Sequence, residues 1–157
     1  MPLPDAALLG PYARIEGGFT DCYVTQAAGP VSLADYVSAF YTTPLFRMER
    51  RVLALAARSP STDADAVALG AGDTEHFAVW SVEARSDSQL LMCPVGSRTR
   101  SWFMVQPEGG SALLYFGSAV VPVAGKDGPG FGFHALLGLH MVYSKALLAS
   151  ARRRLGA

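Results

Sequence analysis

Cysteine is nearly absent from this chain. Cys22 and Cys93 stand in separate segments with no CxxC spacing, so neither a disulfide framework nor a zinc site is expected. Charge is scarce as well. Charged residues make up 17% of the chain, against about 25% in an ordinary soluble domain. The 13 basic residues are balanced by 13 acidic ones, whereas a nucleic-acid groove needs a basic surplus. The only notable basic cluster, Arg152-Arg153-Arg154, falls at the end of the last predicted helix, where cations complement the helix dipole. No apolar run reaches the ~18 residues of a membrane span. Met1-Pro2-Leu3-Pro4-Asp5 lacks the basic start of a signal peptide. A cytoplasmic protein without a membrane span or a nucleic-acid partner is the expectation.

What the chain has in plenty is apolar side chains. They are half of its 157 residues, too many for a disordered segment and more than one small core needs. The surplus points to a lined cavity or to a buried subunit contact. The length fits a single domain over residues 1–157.

Prolines and glycines crowd residues 1–19, which read as a loosely structured lead-in. A strand is expected from about Thr20 to Ala27. Ser32 then caps a helix, with Asp35 three residues on and Leu33, Tyr36, Val37 and Phe40 as its apolar stripe. Thr42-Thr43-Pro44 closes that helix and opens a second. The second helix places Leu45, Met48, Val52, Leu53 and Ala56 on one side and Arg47, Arg50, Arg51 and Arg58 on the other. A weaker helical turn runs from Ser59 to Gly70. Strands are predicted at His76–Arg85, Gln89–Val95, Thr99–Gln106 and Ala112–Pro122, with gaps so short that only antiparallel pairing is possible. Pro94 predicts an edge or a bulge. A glycine-rich loop, Gly125 to Gly130, leads to a closing helix from about Phe133 to Arg154. Grouped strands of this kind argue an α+β fold.

This layout resembles the helix-grip superfamily, which includes START-like lipid carriers, pollen-allergen ligand binders and polyketide-cyclase-like enzymes. The segments Ala39-Phe40-Tyr41-Thr42-Thr43-Pro44-Leu45-Phe46, Ser101-Trp102-Phe103-Met104-Val105 and Leu114-Tyr115-Phe116-Gly117-Ser118 are similar to those of uncharacterised bacterial members of that superfamily (SRPBCC). The resemblance implies a curved antiparallel sheet wrapped around the long C-terminal helix, with a bent helix pair after the first strand. It also implies a cavity between sheet and closing helix for an apolar molecule. Four strands follow the helix pair where the superfamily has six. Either Val121–Ala124 and the region Leu69–Thr74 supply short ones, or the sheet is reduced.

Two residues stand out chemically. Glu49 falls inside the apolar arc of the second helix, and a buried carboxylate is costly unless paired. An arginine from the sheet (Arg85, Arg98 or Arg100) or a tyrosine is the expected partner if its role is structural. His140 sits on the inner face of the closing helix with Tyr143 on its side. Small residues Ala135, Gly138, Val142 and Ala149 on the other face predict burial on two sides. Candidate ligand-binding residues are Tyr36, Phe40, Glu49, Trp80, Trp102, Tyr115, Leu136, His140 and Tyr143. Glu49, His140 and Tyr143 are also the candidate catalytic set. Both faces of the strands around Trp102 and Tyr115 are apolar, so a homodimer through the sheet is expected. Gly128-Pro129-Gly130-Phe131-Gly132-Phe133 lacks the lysine of a phosphate loop. His76, His134 and His140 lack metal spacing, and no GxSxG elbow is present. No cofactor and no metal are expected. Three functions remain: binding of a small hydrophobic molecule, a cyclase, dehydratase or isomerase using Glu49 and His140, or a structural dimer without ligand.

Overall fold

The computed structural model describes residues 2–122 and 131–156, and of residues 131–137 the backbone alone. The predicted loop Gly125 to Gly130 and the side chain of Leu136 lie outside the described residues.

The chain runs through helix α1 (Gly10–Ala13), strand β1 (Phe19–Ala27), helices α2 (Leu33–Tyr41), α3 (Pro44–Ala56) and α4 (Asp63–Ala71), strands β2 (His76–Phe77), β3 (Trp80–Arg85), β4 (Gln89–Pro94), β5 (Thr99–Glu108) and β6 (Ser111–Val120), and helix α5 (Phe131–Arg154). All strand pairs are antiparallel, and the order across the sheet is β1-β6-β5-β4-β3-β2. The first strand thus lies beside the last. The result is an α+β helix-grip fold, its curved sheet closed by α5, which packs on β1 and α2.

Local chemistry explains the helix boundaries. Ser32 Oγ accepts the Asp35 N–H at 3.0 Å to start α2. Thr43 Oγ1 accepts the Phe46 N–H at 3.1 Å ahead of Pro44, which occupies the first turn of α3. The segment expected as a weak helical turn is a full helix. Thr62 and Asp65 cap α4 reciprocally, and Gly72 ends it with φ +87°. That start is a capping box, and the left-handed stop favours glycine. The additional strand arises because His76–Arg85 breaks in two, with Ala78 at φ +50° between β2 and β3. Residues 69–71 belong to α4, and Val121 and Pro122 follow β6 without joining the sheet. Pro94 is the last residue of β4. It is paired with Trp80 of β3 but lies beyond the β4–β5 ladder, where its missing N–H breaks no bond. The irregularity falls in β3, between Val82 and Ala84.

Three expectations are corrected by the packing. The arc of α3 read as buried is mostly exposed: Met48 and Val52 are each 59% accessible, Ala56 is exposed, and Leu45 and Leu53 are only half-buried. Its buried residues are Phe46 and Arg50. The Arg50 guanidinium donates to Asp63 Oδ1 at 2.7 Å and to the carbonyls of Tyr41 and Thr62 at 3.3 Å. A charge with such partners tolerates burial, which helix periodicity cannot reveal. Over residues 138–154 helix α5 is buried on one side and not on two, for Gly138, Leu139 and Val142 are exposed while Ser144, Leu147 and Leu148 are buried; the side chain of Ala135 lies outside the described residues.

The third correction concerns the lead-in. Residues 3–12, expected to be loose, cover the outer face of the sheet. Ala7 and Leu9 join Cys22, Leu91, Trp102, Met104, Tyr115 and Ala119 in a second core. Gln89 holds the segment down. Its Oε1 accepts the Leu8 N–H and the Trp102 Nε1–H, both at 2.9 Å, and its Nε2 donates to the Ala6 carbonyl at 2.9 Å. Gly117 makes room beneath it: a Cβ there would lie 2.8 Å from the Asp21 carbonyl and 2.9 Å from Leu9 Cδ2. The apolar outer face that predicted a homodimer through the sheet is therefore satisfied by the chain itself.

Candidate functional site

Alternation sorts the strand residues onto two faces. Phe19 and Tyr23 of β1, Phe116, Ser118 and Val120 of β6, and Thr99, Ser101 and Phe103 of β5 look toward the helices, as shown by the partners they meet in the main core and cavity, and Asp21 of β1 does so through Ser118 and His140. Toward α5 the helices and sheet do not close completely. A cavity of about 380 Å³ remains, at the small end of the roughly 300–1,000 Å³ usual for small-molecule sites.

Its walls are aromatic. Phe40 stacks on Phe116 with centroids 4.8 Å apart and meets Phe103 edge-on at 4.8 Å. Tyr41 meets Phe46 edge-on at 4.7 Å. Trp80, Pro94, Thr99 and Val120 line it from neighbouring strand ends, and Leu147 from α5. The polar members include Glu49 on α3, His140, Tyr143 and Ser144 on α5, and Thr99, Arg100, Ser101 and Ser118 from the sheet.

Two hydrogen-bonded groups organise that polar part. In the first, the Tyr143 hydroxyl donates to Glu49 Oε2 in a short bond joining α5 to α3. Burial pushes the Glu49 carboxyl above its usual range, against the lowering effects of the Tyr143 bond and of nearby His140. Burial, then the bond to Glu49, raises the Tyr143 hydroxyl. Both protons are thus held more tightly than in water. In the second group, Asp21 and Ser118 are register partners on β1 and β6. Asp21 Oδ1 accepts the Ser118 N–H at 2.9 Å and its Oγ–H at 2.6 Å, and Oδ2 accepts the Tyr23 hydroxyl at 3.0 Å. His140 Nε2 lies 2.9 Å from Ser118 Oγ and 3.7 Å from Asp21 Oδ2. Serine has one proton and an ionised carboxylate only accepts. Ser118 therefore gives its proton to Asp21, and His140 must present Nε2–H to Ser118. In a neutral ring Nδ1 is then the acceptor.

Of the residues singled out from the sequence, Phe40, Glu49, Trp80, His140 and Tyr143 line this cavity. Trp102 and Tyr115 do not. They face the opposite side of the sheet, under the N-terminal segment, with Trp102 fully buried and Tyr115 donating to Gln106 Oε1 at 3.2 Å. Tyr36 is a core residue whose hydroxyl donates to the Tyr115 carbonyl at 3.1 Å. The arginines expected as partners of Glu49 are engaged elsewhere or exposed. Arg85 donates to the carbonyls of Leu69 and Gly70, Arg100 pairs with Glu83 and Tyr12, and Arg98 is exposed. Asp21 and Ser118 went unrecognised, because one polar residue in each of two strands gives no signal until the register sets them opposite one another. The inward phenylalanines were present in the strand pattern, but so were apolar residues on the other face. Among the described residues no group of three or more His, Cys, Asp or Glu is placed to hold a metal ion, and no helix is long and apolar enough to cross a membrane.

Comparison with known proteins adds little. No family model matches the chain, and no curated protein matches it. Fifteen chains of solved structures match. One is titled "Crystal structure of Ara h 8.0201". It is 7% identical, with a TM-score of 0.40, and the match covers 87% of this chain and 98% of that one. A likeness at that level says nothing about a ligand.

Proposed function

We propose that this protein binds one small hydrophobic molecule, of lipid, isoprenoid or polyketide-like kind, in the cavity between the sheet and α5. The carrying observation is that aromatic residues from three helices and four strands surround an open space of about 380 Å³ instead of closing it. Interiors normally pack to crystal-like density, so an unfilled aromatic-walled space has a use other than stability. The homodimer expected through the sheet forms no part of the proposal, since the N-terminal segment occupies that face. Native mass spectrometry of gently purified protein, with the dye N-phenyl-1-naphthylamine as a neutral probe, tests it. One dye per chain is expected, with loss of binding in Val120→Trp, which fills the cavity. Equal dye binding by parent and a folded Val120→Trp would overturn the assignment.

A second reading, proton-transfer catalysis of the cyclase, dehydratase or isomerase kind, draws support from a separate observation. Glu49 and His140 line one cavity from facing helices, the former with a carboxyl reluctant to ionise. Acid and base groups acting on one substrate need little more than such placement. Recovery of the bound molecule unchanged in mass and isomer after long incubation would leave binding alone.

A further inference from the structure

Glu49 is a carboxylate without a cation. Among the described residues every basic side chain near the core is committed elsewhere. Arg47 and Arg50 share Asp63, Arg85 serves the end of α4, Arg100 serves Glu83 and Tyr12, and Lys145 lies over the Tyr23 ring at 5.5 Å. The other inward carboxylate, Asp21, is satisfied by three donors. Glu49 has one donor, Tyr143, bound at Oε2, while Oε1 has no hydrogen-bonding partner among the described residues. Phe40, Phe46, Trp80, Phe103 and Phe116 line the same cavity. A carboxylate kept in such surroundings is costly to the protein alone, whereas a cation brought between them gains a charged hydrogen bond and the attraction of ring faces.

Resting on the binding function proposed above, we infer that the ligand carries a protonated amine, its nitrogen against Glu49 Oε1 and its apolar body among the aromatic walls. A ligand carboxylate meets the opposite circumstances: Glu49 repels it and no arginine or lysine of the described residues receives it. Two basic groups line the cavity from the described residues: Arg100, whose guanidinium is taken up by Glu83 and Tyr12, and the His140 ring. Its Nε2–H is turned to Ser118, so the ring offers the amine no repulsion while neutral.

Three compounds that differ only in their head group test this: 4-phenylbutylamine, 4-phenylbutanol and 4-phenylbutyrate. Calorimetry at about pH 8.5 keeps an ordinary alkylamine charged. The amine is expected to bind at least about tenfold more tightly than the alcohol, as a charge-assisted hydrogen bond implies, and the carboxylate least. Glu49→Gln should remove the advantage of the amine over the alcohol. An alcohol that binds the parent as well as the amine overturns the inference. So does a Glu49→Gln protein in which amine and alcohol weaken equally, because Glu49 then only shapes the cavity. In both of those cases the neutral dye still binds, and the binding function stands. Failure of the dye and all three compounds to bind would refute the function and the inference together.

Discussion

Replacing Gln89 by leucine removes the clamp on the N-terminal segment without greatly changing volume. Three partners are lost at once: the Trp102 indole N–H, the Leu8 N–H and the Ala6 carbonyl. They are not equivalent. Trp102 is 0% exposed, so its N–H finds no water and carries the desolvation penalty of an unmade bond, about 1–3 kcal/mol. Leu8 is half-buried and Ala6 exposed, so each loses only the net worth of a hydrogen bond, about 0.5–1.5 kcal/mol. Together these give a destabilisation of about 2–6 kcal/mol. Urea denaturation of Gln89→Leu, Trp102→Phe and the double variant separates the indole share. In the Trp102→Phe background no indole N–H remains to be orphaned, so Gln89→Leu should cost less there by at least about 1 kcal/mol. Additivity of the two substitutions within about 0.5 kcal/mol would refute the reasoning, as would a Gln89→Leu protein of parental midpoint.

Other perturbations address the closing helix, the cavity carboxylate and the close approach under Leu9. Leu147 is 3% exposed in the main core, and Leu147→Ala should lower stability by about 2–5 kcal/mol; an unchanged denaturant midpoint would show that α5 is not held there. Burial raises the Glu49 carboxyl, so the folded state favours its protonated form. Relative to Glu49→Gln, the parent should lose stability as pH rises from about 4.3, the unfolded value, through the raised folded one, and parallel stability curves across that range would contradict this. Gly117→Ala places a methyl group against the Asp21 carbonyl and Leu9, so a loss of about 1–3 kcal/mol is expected. Faster proteolysis within residues 2–12 should accompany it, and full protection there would argue against the close fit.

Reading the sequence captured what short-range chemistry governs. Ser32 with Asp35 and Thr43 with Pro44 mark helix starts because a side-chain oxygen or a missing N–H acts within one turn. Alternation along Ser101–Val105 and Leu113–Val120 separated Phe103 and Phe116 from Trp102 and Tyr115 because successive strand residues point oppositely. It left open which set meets the cavity. Both sets are apolar, and the difference lies in what covers them, α2, α3 and α5 on one side and residues 3–12 on the other.

Glu49 and His140 were conspicuous because a charge or an imidazole among apolar neighbours needs an account wherever it falls. Their partners were another matter. The sequence by itself determined the helices, the alternating strands, the α+β order and the polar exceptions on apolar faces, all fixed by interactions spanning a few residues. Only the tertiary structure decided that Arg50 is buried, that Asp21 and Ser118 steady His140, that Tyr143 meets Glu49, and that the lead-in seals the outer sheet. Each of these joins elements remote along the chain, and such pairings depend on strand register and helix rotation, which no local pattern encodes.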